Sequence, residues 1–323
     1  MRQIVSVAIK AAITLVVLYF AVGRAHFSLV GERIGRLDVA WMLLALAVVA
    51  AQLALVTVRW QVIAKRCGAP LALASALRFN LIANFFNQVL PSTVGGDAIR
   101  IWLFARAGAG WTKATHSVLL DRFIGILALA MLVVIGLPWG LELIGNPIGR
   151  IALSAIGFGS IGAAFAFIGL GMLRWNWLEQ WPPTRHLVQM AVTAREILFS
   201  ARTALPLMAL SLLVQALTAA VAWSAAKAVA APFEFVQAML LLPPVMLIAT
   251  IPISIAGWGV REGALVLAFS YAGLAESDGL VISVLLGAAY FGIGLIGGVV
   301  WLLNREPLRR AQTLQADEPP PTA

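Results

Sequence analysis

The sequence predicts an all-α polytopic membrane protein of about eight transmembrane helices, supplemented by re-entrant or broken helical segments. Three observations carry that reading. Of the 323 residues, 61% are hydrophobic and only 11% are charged, against about 25% charged in a soluble domain. The mean hydropathy is +0.94. Several apolar runs reach the roughly 20 residues needed to cross a bilayer, and no polar stretch leaves room for a substantial soluble domain. Twenty-three Lys and Arg stand against 14 Asp and Glu, a net charge of +9. In a membrane protein this excess reads as topology, because basic residues collect in cytoplasmic loops, with an added role in holding anionic lipid headgroups. No basic run with interleaved aromatics offers a nucleic-acid platform, so no nucleic-acid partner is expected.

Residues 4–22 form the first span, read as a retained helix, with Lys10 near one end and able to snorkel. Residues 39–58 form the second. Arg59, Trp60, Lys65 and Arg66 close it without an acidic residue, a strong cytoplasmic mark. Residues 71–97 lie between two basic flanks, Lys65 and Arg66 before, Arg100, Arg106 and Lys113 after. Flanks of one sign favour a hairpin that re-enters from the cytoplasmic side. Residues 115–137 cross next, starting with His116, Asp121 and Arg122. Adjacent residues on a helix do not face each other, so Asp121 and Arg122 are expected to find partners on other elements.

Residues 138–150 read as a short outer loop, and 151–173 return with Gly157, Gly159 and Gly162 allowing close helix approach. Trp175, Trp177 and Trp181 suit an interfacial belt. Residues 184–200 place Leu187, Met190, Ala191, Ala194, Ile197 and Leu198 at helical spacing, the pattern of an amphipathic helix on the cytoplasmic surface. Residues 204–223 cross outward. Residues 236–255 form another span, interrupted at Pro243 and Pro244 and ended by Pro252. A short apolar piece follows at 261–274, then an acidic outer turn at Glu276 and Asp278, and a last span at 280–303. Residues 1–305 are thus one transmembrane domain, 306–323 a disordered cytoplasmic tail, and both termini cytoplasmic.

The chemistry concentrates in two broken segments. In the first, Asn80, Asn84 and Asn87 fall at i, i+4 and i+7 and line one helix face, with Gln88 beside them. Pro91 ends that helix, Gly95 and Gly96 loosen the backbone, and Asp97 and Arg100 follow three apart. In the second, Pro252, Gly257 and Gly259 precede Arg261 and Glu262. The likeness suggests an internal pseudo-repeat, although the order of charges differs. Paired discontinuous segments point to a transporter's binding site. Broken helices free backbone N–H groups that favour anions, and arginine grips phosphate with a rigid fork of donors. On this reading Arg100 and Arg261 bind a phosphorylated headgroup and Asp97 and Glu262 orient them. Asn80, Asn84, Asn87 and Gln88 line the polar path, and Asp121 and Arg122 support it. The plainer alternative makes Asp97–Arg100 and Arg261–Glu262 structural ion pairs.

No Gly-x-x-x-x-Gly-Lys-Ser/Thr run occurs, which argues against ATP hydrolysis by this chain. Cys67 is the single cysteine, so neither an intrachain disulfide nor a thiolate zinc site is expected. His26, His116 and His186 are scattered in sequence and read individually as loop or interface residues. No metal or cofactor is expected. Glycine-rich faces at 151–173 and 287–298 suit packing within the chain or between copies of a homo-oligomer.

The patterns Phe79-Asn80…Asn87-Gln88-Val89-Leu90-Pro91…Gly95-Gly96-Asp97-Ala98-Ile99-Arg100, Asp121-Arg122 and Pro252…Gly257-Trp258-Gly259-Val260-Arg261-Glu262 resemble the lysylphosphatidylglycerol synthase transmembrane region family, a flippase-like family. The resemblance covers roughly residues 5–305. It implies a multi-pass protein of the bacterial inner membrane with about eight spans, associated with moving polar lipids between leaflets. Implied partners are a membrane phospholipid or isoprenoid-linked lipid, and a lipid-synthesis enzyme. The soluble aminoacyl-transfer domain of fused relatives has no counterpart here, so lysylphosphatidylglycerol synthesis is not expected. The alternatives are a membrane-embedded transferase with Asp97 or Glu262 as base, and an accessory protein that holds lipid without transporting it.

Overall fold

A computed structural model of the chain describes residues 35, 37–90, 94–172, 182–251 and 259–303. The expected span at 4–22, the tryptophans at 175, 177 and 181, the residues Pro91, Pro252 and Gly257, and the C-terminal tail lie outside them. The described residues form ten α-helices and no strand: α1 Val39–Arg66, α2 Leu73–Val89, α3 Gly95–Phe104, α4 Trp111–Leu143, α5 Pro147–Leu170, α6 Pro182–Phe199, α7 Ala201–Ala228, α8 Phe235–Ala249, α9 Val260–Tyr271 and α10 Glu276–Leu303. Five of them, α1, α4, α5, α7 and α10, are long and apolar enough to cross a membrane, and α8 is a shorter apolar helix.

Helix boundaries follow local chemistry where caps are present. Asp38 accepts the Ala40 N–H at 2.8 Å and starts α1. Asn146 accepts from Ile148 N at 2.8 Å to start α5, with Pro147 in the first turn, where its missing N–H costs nothing. The expected outer loop at 138–150 contracts to three residues, because α4 runs through Pro138 to Leu143. Likewise α8 continues through Pro243 and Pro244. Inside a membrane bundle neighbouring helices support the carbonyls that proline leaves free, so proline need not end a helix. The acidic outer turn is also corrected: Glu276 and Asp278 sit in the first turn of α10, where the helix dipole favours negative charge.

The main core packs α1 and α7 through α10, around Val49, Leu241, Leu242, Phe269 and Ile282. The alanines of α7, Ala219, Ala222, Ala225 and Ala226, are fully buried there. Lipid is as apolar as these side chains, so close approach and dispersion, rather than the hydrophobic effect, hold such helices together. The contact of α2 with α10 is the tightest case. A Cβ on Gly297 would stand 1.9 Å from the Leu81 carbonyl oxygen, and one on Gly298 would stand 2.9 Å from the Phe85 ring. On α5, Gly157 meets Val133, but Gly159 and Gly162 meet no neighbour among the described residues.

Helices α2 and α3 form a hairpin that leaves and returns at one end of the bundle. Leu71, Ala76 and Phe79 of its start share a cluster with Phe104 of its end and with Trp60 and Ala64 near the close of α1. A π-helical turn, Ala105–Ala109, then leads into α4. At about 1.5 Å per residue the ten-residue α3 spans only about 15 Å, half a bilayer core. Helix α6 packs on the same end of α4 through Met190, Ala194 and Ile197, as its apolar spacing requires. Leu187 departs from the expected buried face and is 41% exposed.

Two expectations follow. Gly297→Val forces α2 from α10 and should cost about 1–3 kcal/mol of overpacking, read as a lower unfolding midpoint in detergent. Gly159→Ala, with open space around it, should leave the midpoint unchanged. Burial pushes the Cys67 thiol up to about 11, whereas a free cysteine titrates near about 8.5. Maleimide labelling of the native protein should therefore be slow at neutral pH. Its rate should keep climbing between about pH 9 and 11, where a free thiol has already levelled off.

Candidate functional site

Four elements, α1, α2, α3 and α4, bring their polar residues to one buried place. Asp121 of α4 is 3% exposed and shared by two guanidiniums. Arg59 Nε donates to its Oδ1 at 2.8 Å, and an Arg100 terminal nitrogen donates to its Oδ2 at 3.1 Å. The other terminal nitrogen of Arg100 donates to Asn80 Oδ1 at 3.0 Å, and Asn80 donates to Thr57 Oγ1 at 3.0 Å. Arg59 also reaches Ser211 of α7 at 3.3 Å. Arg100 stacks over the Trp60 ring, 4.6 Å from its centroid, a cation–π contact that strengthens when desolvated.

Asp97 pairs with Arg122 and stands 3.7 Å from Arg100. The expected pairing of Asp97 with Arg100 alone thus becomes a five-membered network running Arg59–Asp121–Arg100–Asp97–Arg122. As adjacency on the helix requires, Asp121 and Arg122 turn to different partners. Asn87 Oδ1 accepts the Gly96 N–H at 2.9 Å and so satisfies one free donor at the start of α3. A Cβ on Gly96 would lie 2.2 Å from the Ala83 carbonyl oxygen, so only glycine permits this approach. Gly95 packs on Leu90.

A cavity of about 200 Å³ opens beside this network, lined by Gln52, Asn80, Asn84, Asn87, Asp97, Arg100 and Tyr290 together with apolar residues of α1 and α2. The asparagine stripe faces it as the spacing predicts. Gln88 does not line it: one position on from Asn87, it turns about 100° away and lies beside Gly294 of α10. The Arg100 Nε is buried and has no hydrogen-bond partner among the described residues. The Asn84 side chain makes no hydrogen bond among the described residues.

The second broken segment contributes Gly259, Arg261 and Glu262. Glu262 is fully buried. Its Oε1 accepts from Arg261 at 2.6 Å and from Ser283 at 3.1 Å. Its Oε2 accepts the Gly259 N–H at 2.6 Å, the return arm of a capping box. Gly259 has φ +83, a left-handed conformation that glycine adopts without strain. Arg261 and Glu262 do not line the cavity. They connect to it along α10, where Ser283 lies two turns, about 10 Å, from Tyr290. Tyr290 donates to Gln52 Oε1 at 2.9 Å, and Gln52 donates to Thr218 Oγ1 at 2.7 Å.

Sequence reasoning overlooked Gln52, Thr57, Arg59, Trp60 and Tyr290. Arg59 and Trp60 read as the closing edge of a span, yet both are buried. Gln52 carried a usable signal: an amide within an apolar run, seven residues before Arg59 and so on nearly the same helix face. His116 and His186, scattered in sequence, come together with ring centroids 5.6 Å apart. No group of three or more His, Cys, Asp or Glu that could hold a metal occurs among the described residues.

Removing one member of a buried pair leaves an uncompensated charge, which costs about 3–5 kcal/mol. Asp121→Asn strands Arg59 and Arg100 and should lower the detergent unfolding midpoint sharply. Arg122→Gln, at a more exposed position, leaves Asp97 with Arg100 nearby and should cost clearly less. Equal midpoints for the two variants would contradict the central place given to Asp121.

No curated protein matches the chain. The family model described as lysylphosphatidylglycerol synthase TM region matches residues 7–298. With its buried polar network inside a bundle of apolar helices, this chain belongs to that family of flippase-like membrane proteins.

Proposed function

We propose that the chain moves a phosphate-bearing lipid between the leaflets of a bacterial inner membrane, as a protein of about eight spans with both termini cytoplasmic. One observation carries the reading. Arg100 is a buried cation on the wall of a polar cavity, with two nitrogens held by the protein and its Nε–H without a partner among the described residues. A buried donor without an acceptor costs about 1–3 kcal/mol, which a headgroup oxygen would recover. The cavity volume of about 200 Å³ suits a headgroup and not a whole lipid, since drug-sized ligands occupy roughly 300–1,000 Å³. The tails stay in the bilayer. Asp97 and Glu262 orient arginines, and the Asn80–Asn84–Asn87 face offers hydrogen bonds as water is shed. Arg261 belongs to a second polar station, joined to the first through Tyr290 and Gln52. The two stations are the counterparts of an internal pseudo-repeat.

The oxygens of Asp97 and Glu262 are already committed to guanidiniums and, for Glu262, to the Gly259 N–H. A free general base for group transfer is therefore not on offer at either, which favours transport over transferase chemistry. A lipid-synthesis enzyme is the partner that such a transporter would serve.

The test is leaflet exchange in sealed vesicles holding the purified protein and fluorescent phosphatidylglycerol, phosphatidylethanolamine or an isoprenoid phosphate lipid. Exchange of at least one lipid above protein-free vesicles is expected. Arg100→Ala should reduce it roughly tenfold or more, corresponding to about 1.4 kcal/mol or more. Asn84→Trp fills the cavity without breaking a hydrogen bond, so it should block exchange in a protein whose unfolding midpoint is unchanged. Wild-type exchange at the protein-free level for every lipid would overturn passive flipping, and full activity in Asn84→Trp would remove the cavity from the path.

A further inference from the structure

At the end of the bundle where α4 begins, a second cavity of about 250 Å³ lies between α4 and α6, lined by Trp111, Thr112, Thr115, His116 and Leu119 from one and His186, Leu187 and Met190 from the other. Two imidazoles enter it from different helices, with centroids 5.6 Å apart and planes at 68°. His116 Nε2 and His186 Nδ1 are both buried and both lack a hydrogen-bond partner among the described residues. Neutral histidine presents a lone pair on one ring nitrogen and a proton on the other. The two buried nitrogens serve as the lone-pair atoms when the protons sit on the opposite nitrogens. Two unpartnered lone pairs in one pocket form the start of a ligand set for a metal ion.

The spacing fits. With metal–nitrogen bonds of roughly 2.1 Å and about 1.2 Å more to each ring centre, a tetrahedral angle sets two centroids roughly 5.3 Å apart. We propose that His116 Nε2 and His186 Nδ1 bind a divalent transition-metal ion of the zinc class. Imidazole suits such ions, and water completes the coordination. The ion clips the amphipathic helix α6 to the first turns of α4, little more than one turn before Asp121 and Arg122. This site is separate from the Arg100 cavity and does not depend on the transport reading.

The experiment uses the full chain in detergent, with any affinity tag removed and metal stripped by EDTA. Titration with Co²⁺ should give one ion per chain with the visible absorption of a tetrahedral site, displaced by Zn²⁺. Either His116→Gln or His186→Gln should weaken binding by more than the roughly 10–100-fold that loss of an outer partner costs. Zn²⁺ should raise the unfolding midpoint of the wild type and not of the variants. Where a variant fails to fold, diethylpyrocarbonate footprinting of the wild type replaces it: Zn²⁺ should protect His116 and His186. Absence of Co²⁺ absorption, unchanged binding in a folded variant, or equal modification with and without Zn²⁺ overturns the site.

Discussion

The carboxylate of Asp121 holds two buried guanidiniums, and the polar interior is organised around that fact. Arg59 enters from α1 and Arg100 from α3, both onto one side chain of α4. An isolated charge in hydrocarbon is costly, and it survives only by pairing inside the bundle. Sharing one carboxylate between two arginines ties three helices at a single point. Asn80 and Thr57 extend the tie to α2 and back to α1, so the α2–α3 hairpin is held by hydrogen bonds where its apolar surface alone could not orient it. A buried ion pair is weak evidence for net stability. Its stronger effect here is positional, because each alternative placement of α3 would strand a charge.

The two broken segments meet a common problem in related ways. Each resumes as a short helix with a carboxylate at its third position, Asp97 in α3 and Glu262 in α9. An acid there complements the helix dipole, and each acid also engages an arginine. The details diverge. Asn87 caps the start of α3 from outside the helix, whereas Glu262 reaches back to Gly259 itself. Glu262 is thereby saturated, while the first segment keeps an unmatched donor beside a cavity. That difference leaves the cavity beside Arg100, while Arg261 is tied to α10 through Ser283, on the same helix as Tyr290.

Helix packing shows how far glycine patterns reach. Gly297 admits the backbone of α2, but Gly159 and Gly162 in an equally suggestive run meet nothing among the described residues. A small residue permits close approach without requiring it, and the partner decides.

Composition and hydropathy alone determined the class, because 61% hydrophobic residues in bilayer-length runs have no other solvent. The asparagine face, the interruption between α2 and α3, and the separate partners of Asp121 and Arg122 were also legible, since helical geometry fixes which side chains share a face. Tertiary structure decided the rest. Pro138, Pro243 and Pro244 could not be known to lie within helices until neighbours were placed around them. Arg59 looked like the cytoplasmic edge of a span until Asp121 drew it inside. His116 and His186, 70 positions apart, met only because α6 folds against α4. Local sequence encodes period and breakage, whereas the partner of a charge is chosen by whichever helix packs beside it.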